Sequence, residues 1–199
     1  MPSRKVQIGG PSWPARCDLC AEELELAMKL VRVFALSVIA IAAASHPLRA
    51  EAPVGAPIEV QALAGQHPAE YYKRAGELFK AGKNDDAVFV FYLGQLRYRT
   101  FLLAKPTDPT ADPTLFASLS QVTGKPINQY AFGDIPGLAK TIDAVLAYDT
   151  THPDTFTSPT EVAKIHADVR NGLTAMKTKM LAETDRIKAD RTKNGLENR

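Results

Sequence analysis

The chain has 199 residues, 45% of them hydrophobic and 23% charged, with a formal net charge of +2. From residue 51 onward Lys and Arg number 18 and Asp and Glu also number 18, so that part is neutral and contains no Cys. A neutral chain without a Lys/Arg run has no phosphate-tracking patch for nucleic acid. A chain of this length builds one domain on its hydrophobic core and needs no disulfide staples.

Residues 1–27 hold the only Trp, Trp13, and both cysteines, Cys17 and Cys20. C-x-x-C serves as a redox pair or as half of a zinc site. A structural zinc takes four ligands, and no Cys and no His pair at ligand spacing follows. The segment reads as upstream sequence ahead of a start at Met28. Residues 28–50 then read as a secretory signal peptide: Lys29 and Arg32 before an apolar run from Val33 to Ala44, the breaker Pro47, and the small Ala50 before a cut. The apolar run is shorter than the about 20 residues a spanning helix needs. Cleavage is expected between Ala50 and Glu51, with Ala52 as the alternative, and no Cys follows to carry a lipid anchor. The expected address is the bacterial periplasm, with secretion beyond it as the alternative.

Residues 51–67, rich in Ala, Pro and Gly, predict a flexible or extended lead-in. Pro68 opens a helix to about Lys80, ended by Gly82. A second helix is expected from Asp85 to about Ala104. Its stretch Ala87 to Leu93 is apolar on every side, which asks for burial from several directions. The β-branched and aromatic content of that stretch leaves a buried strand as the alternative. Asp112 and Pro113 are an N-cap and first-turn pair, with Leu115, Phe116, Leu119 and Val122 on one face and Gly124 as the stop. Residues 126–132 predict an irregular or single-turn segment. Asp134 caps a further helix bearing Ile135, Leu138, Ile142, Val145 and Leu146. Ser158 and Glu161 have capping-box spacing. One long last helix is expected to carry Val162, Ile165, Val169, Leu173, Met176, Met180 and Ile187 on one seam. The domain is placed at 68–190, and 191–199 is expected to be a frayed polar tail.

Within residues 68–97, Tyr71, Ala75 and Leu78 on the first helix, Gly82 in the turn, Asp85, Asp86 and Ala87 opening the second, and then Phe91 and Gly94, follow a recognisable order. The segment resembles a single tetratricopeptide or Sel1-like repeat. Pro106 falls too late for the usual end-of-repeat proline, and no second copy follows at the period of about 34 residues. The resemblance implies a helical scaffold that binds another protein, and it implies no catalytic residue.

The chemistry-bearing motifs are sparse. Ser118 and Ser120 lack the flanking glycines of a nucleophile elbow, and no phosphate-binding glycine loop occurs. His67, His152 and His166 stand far apart and read as turn or surface histidines. Asp149, His152 and Asp154 form a weak cation candidate that turn chemistry explains equally well. No catalytic, cofactor-binding or metal-ligating residue is assigned. Two groups are candidates for a protein partner. The first is Gln95, Arg97, Tyr98 and Arg99. There the arginines either complement a helix C-terminus or form a hot-spot patch. The second is Asn128, Gln129, Tyr130 and Phe132, which either seal the core or present a binding loop.

The expected fold is all-α, with about five helices: a hairpin, then a bundle or superhelical packing closed by the long last helix. The expected function is an exported, non-enzymatic protein-binding module, for example an immunity protein that caps a periplasmic toxin. The alternatives are a cell-envelope enzyme or accessory factor, and a small apolar-ligand carrier.

Overall fold

A computed structural model describes residues 55–199. The signal peptide, the extension before it and the cysteine pair lie outside the described residues. The domain is all-α. Among the described residues there are seven α-helices and no strand, where about five helices were expected. They are α1 (Ala69–Lys80), α2 (Asn84–Ala104), α3 (Pro113–Leu119), α4 (Lys125–Ala131), α5 (Ile135–Thr151), α6 (Ala163–Ala182) and α7 (Thr184–Lys193). A 3-10 helix, Ile58–Leu63, precedes them.

The apolar stretch in the middle of the sequence is helical and builds the centre of the fold. Every residue of α2 from Ala87 to Tyr98 is buried, because α1, α4, α5 and α6 pack around it. A helix without a polar side is stable only when enclosed in this way. The turn from α1 to α2 is set by Gly82, whose φ of 76° suits a residue without Cβ. The Lys83 N–H donates back to Leu78 O at 2.9 Å and closes the helix end. The two helices run antiparallel, with Tyr71 against Gly94. A Cβ at Gly94 would lie 2.6 Å from the Tyr71 Cβ, so the glycine sets how closely the helices approach. Tyr71, Ala75, Leu78, Ala87 and Phe91 are all buried.

Several local expectations differ from the structure, each for a physical reason. The lead-in is ordered at 58–63: Val60 is buried, and the Tyr71 hydroxyl donates to Leu63 O at 2.9 Å. Gly124 does not stop a helix. Asp112 caps α3 as expected, its carboxylate accepting from the Thr114 N–H at 2.7 Å. The chain then passes through a π-helical turn, Ser120–Gly124, straight into α4. Gly124 is right-handed, with φ −70°. A Cβ there would lie 2.7 Å from Phe91 Cζ, so the glycine admits a ring rather than a turn. Residues 125–131 are therefore helical.

Ser158 and Glu161 close a turn, the Glu161 N–H donating to Ser158 O at 3.1 Å. The helix begins only at Ala163, and Glu161 pairs with Lys105. The last helix is interrupted at Glu183 (φ −105°, ψ 15°), which separates α6 from α7. Its seam still faces inward, with Val169, Met180 and Ile187 buried and Leu173 and Met176 packed beside them. The tail also departs from expectation. Leu196 N–H donates to Arg191 O at 2.9 Å, and Arg199 N–H to Gly133 O at 2.6 Å.

Candidate functional site

The first candidate group does not form a surface. Gln95, Arg97 and Tyr98 are buried. Only Arg99 remains half-exposed, its guanidinium 5.5 Å from the Phe116 ring centroid. The Tyr98 ring packs edge-on against His67 and Phe116. Arg97 sits at the centre of a polar cluster that joins α1, α2, α5 and α6. It donates through Nη1 to the Tyr71 hydroxyl and through Nη2 to His152 O at 2.7 Å. Its Nε lies 3.7 Å from Asp149 Oδ1. Those two atoms have no hydrogen-bond partner. The other oxygen, Asp149 Oδ2, accepts from Arg170 Nη1 at 2.6 Å and lies 2.8 Å from His166 Nε2. Arg170 also donates to Leu146 O and the Thr150 hydroxyl.

Burial alone would raise the Asp149 carboxyl. The His166 ring and the Arg170 guanidinium, with Arg97 behind, outweigh that and hold it below the usual carboxylate range. Asp154 responds in the opposite sense. Its carboxylate accepts from the Phe156 and Thr157 N–H groups, both at 3.1 Å. Burial still raises its pKa, against the pull of Arg97.

Asp149, His152 and Asp154 are thus not gathered around one cation site. Asp149 belongs to two arginines and His166, His152 stacks on Tyr148, and Asp154 organises a turn. Among the described residues no group of three His, Cys, Asp or Glu side chains is placed to hold a metal.

A shallow depression of about 380 Å³ opens beside the cluster, lined in part by Asp149, His166, Arg170 and Asn171. An imidazole on a carboxylate is an arrangement general bases use. Here the oxygen that meets the imidazole also accepts from the Arg170 guanidinium, which suits a structural tie. The sequence reading did not find Arg170. Its spacing of four residues from His166 on α6, facing an acid on α5, is the signal that was present.

The second candidate group lies at the corner where α4 turns into α5. Asn128 is directed inward, its Oδ1 accepting from the Tyr92 hydroxyl at 3.0 Å. Phe132 packs against the core. Gln129, Tyr130 and Phe132 are all half-exposed, and Tyr130, like Phe132, packs against the core. The Tyr130 hydroxyl donates to Asp85 Oδ1 at 2.9 Å, and Phe79 meets its ring edge-on at 6.0 Å. Burial and then the Asp85 hydrogen bond keep the phenol protonated, against the opposing pull of Arg199. Arg199 places its guanidinium carbon 3.6 Å from the Tyr130 ring centroid. Its Nη2 donates to Tyr130 O at 3.0 Å. Nothing in the polar sequence around Arg199 marks it for this seat, which lies 69 residues away in the chain.

A small apolar-ligand carrier would hold its ligand beneath Phe89, Phe91, Tyr130 and Phe132; Phe89 is edge-on to Tyr148, Phe91 to Tyr72 and Tyr92, and Tyr130 to Phe79, while Phe132 packs against the core.

Fold and site together define an all-α domain with a buried ionic tie on one side and an aromatic corner on the other. Comparison with family models, with curated proteins and with solved structures finds no match to this chain.

Proposed function

We propose that the chain is an exported, non-enzymatic helical module that binds another protein at the corner formed by residues 128–134. Its mode of action is occlusion, and an immunity protein capping a periplasmic toxin is its concrete form. Export rests on the leader-like residues 28–50, and the binding role on the resemblance of residues 68–97 to a tetratricopeptide or Sel1-like hairpin. One observation carries the choice of face: the corner already holds one residue of its own chain, Arg199, through Gly133 O, Tyr130 O and the Tyr130 ring. A surface that seats one residue by main-chain and aromatic contacts has the chemistry to seat another. The polar cluster around Asp149 supports the non-enzymatic reading, since its charges are spent on one another.

The test is recovery of a partner from periplasmic extract with the full chain, beside a Gln129→Glu/Tyr130→Ala variant of equal melting temperature. One partner in stoichiometric amount, reduced at least tenfold with the variant, is the expected result. Equal recovery by both chains would remove the corner from the account, and no partner with either would reject the binding module.

A further inference from the structure

The seat under Arg199 has a defined chemistry. Its contact groups are all electron-rich: the Tyr130 π face, Tyr130 O and Gly133 O. The Asp85 carboxylate accepts the phenol proton's hydrogen bond at the ring's far end. That bond makes the ring a stronger cation acceptor, and the edge-on Phe79 fixes its plane. A planar guanidinium stacks on such a face while its edge donates to a carbonyl, which an ammonium group does less well.

The occupant is placed to exchange. Residues before it are anchored to α7 and not to the corner. Arg191 Nη2 donates to Glu197 O at 2.5 Å, and Asn198 Nδ2 donates to Lys188 O at 3.1 Å. Arg199 reaches the corner by hydrogen bonds and its ring contact, and it does so beside a like charge, Arg191. A Cβ at Gly133 would lie 3.2 Å from both the Arg191 and the Arg199 guanidinium nitrogens. Losing Arg199 from its seat therefore leaves the rest of the tail tied down.

We infer that the Tyr130 seat is an arginine-recognition site for the partner protein, occupied in the free chain by Arg199 and opened when a partner's arginine takes its place. This rests on the reading of the corner as the partner face. The tethered arginine competes at an effective concentration on the order of millimolar. A partner must then bring contacts beyond one side chain, and the half-exposed Gln129 lies beside the seat to receive them. Arg199 acts as a threshold against weak, single-arginine contacts.

The test uses N-acetyl-argininamide as probe and the Tyr130 ring resonances as readout, in the full chain and in Arg199→Ala. The alanine variant removes the ring contact and the bond to Tyr130 O, both at the surface, and should keep its helicity and melting temperature within a few degrees. It is expected to respond saturably, with about twofold tighter apparent binding than the wild-type chain for a millimolar site facing a millimolar tethered competitor. N-acetyl-lysinamide should bind at least threefold more weakly, and Tyr130→Ala on the same background, read at the Phe79 ring and the Gly133 amide, should abolish the response. Equal response of wild type and Arg199→Ala, or no response at millimolar probe, overturns the site. The two readings also separate in the cell. A partner held at the corner equally by wild type and Arg199→Ala, with no argininamide response, leaves the partner face standing and overturns the arginine site. Argininamide binding with no partner at the corner supports the site and overturns the function.

Discussion

Replacing Asp149 with Ala is expected to destabilise the domain by about 3–5 kcal/mol, the cost of leaving a buried cation without its counter-charge. Arg97 is 3% exposed and cannot turn to water. Its Nε already lacks a hydrogen bond and would lose the only carboxylate within ion-pair reach. Arg170 and His166 are nearer the surface and can rehydrate. The double replacement Arg97→Met/Asp149→Leu should therefore cost clearly less than Asp149→Ala alone, since it removes both charges and refills the volume. Urea unfolding of the three chains checks this. A double variant as unstable as the single one would mean that the Tyr71 and His152 bonds of Arg97, and not the charge pair, hold the cluster.

The same group sets an acid response. The folded Asp149 pKa is lowered, so its stabilisation is present above the unfolded value of about 4 and is lost as pH falls through the folded pKa. Asp154, with its raised pKa, acts in the opposite sense and favours the fold as it takes up its proton. Asp149→Asn should flatten the loss of stability below about pH 4 relative to wild type.

The second large effect is expected at Phe91. Its side chain is fully buried, edge-on to Tyr72 and beneath Gly124. Phe91→Ala should cost about 3–5 kcal/mol through lost contacts and the cavity left behind. Gly124→Ala alone should cost about 1–3 kcal/mol, because its Cβ meets the ring. Combined with Phe91→Ala, the added methyl enters the vacated space, so the double variant should be more stable than the sum of the single effects implies. Additive losses would show that Gly124 serves the backbone of the π-helical turn and not the ring beneath it.

The helices legible in the sequence were those with a strong local reason. The all-round apolar stretch at 87–93 had to be enclosed, and it became the central helix. Gly82 ended α1 with a positive φ, and Asp112 and Asp134 capped α3 and α5 through their carboxylates. The misread boundaries were those decided by distant contacts. Gly124 carries the same local signal as Gly82, and only the Phe91 ring beneath it distinguishes an approach from a stop. The Ser158 to Glu161 spacing fits a cap, but Glu161 pairs with Lys105, remote in sequence at the end of α2.

The candidate sites follow the same division. Arg97 near the end of α2 looked like a surface arginine because its partners, Tyr71 and Asp149, are remote in sequence. Tyr130 was visible as an aromatic in a polar stretch. Its occupant, 69 residues away at Arg199, was not.

The central claim is that the corner bearing Gln129 and Tyr130 faces a partner protein, and site-specific photocrosslinking in the periplasm tests it most directly. A photoreactive residue at Gln129 should give one discrete adduct, which Arg199→Ala increases and Tyr130→Ala weakens. The same residue at Lys164, on the exposed face of α6 with 88% of its side chain accessible, should give none. Adducts of equal yield from both positions, or none from Gln129, would contradict the account.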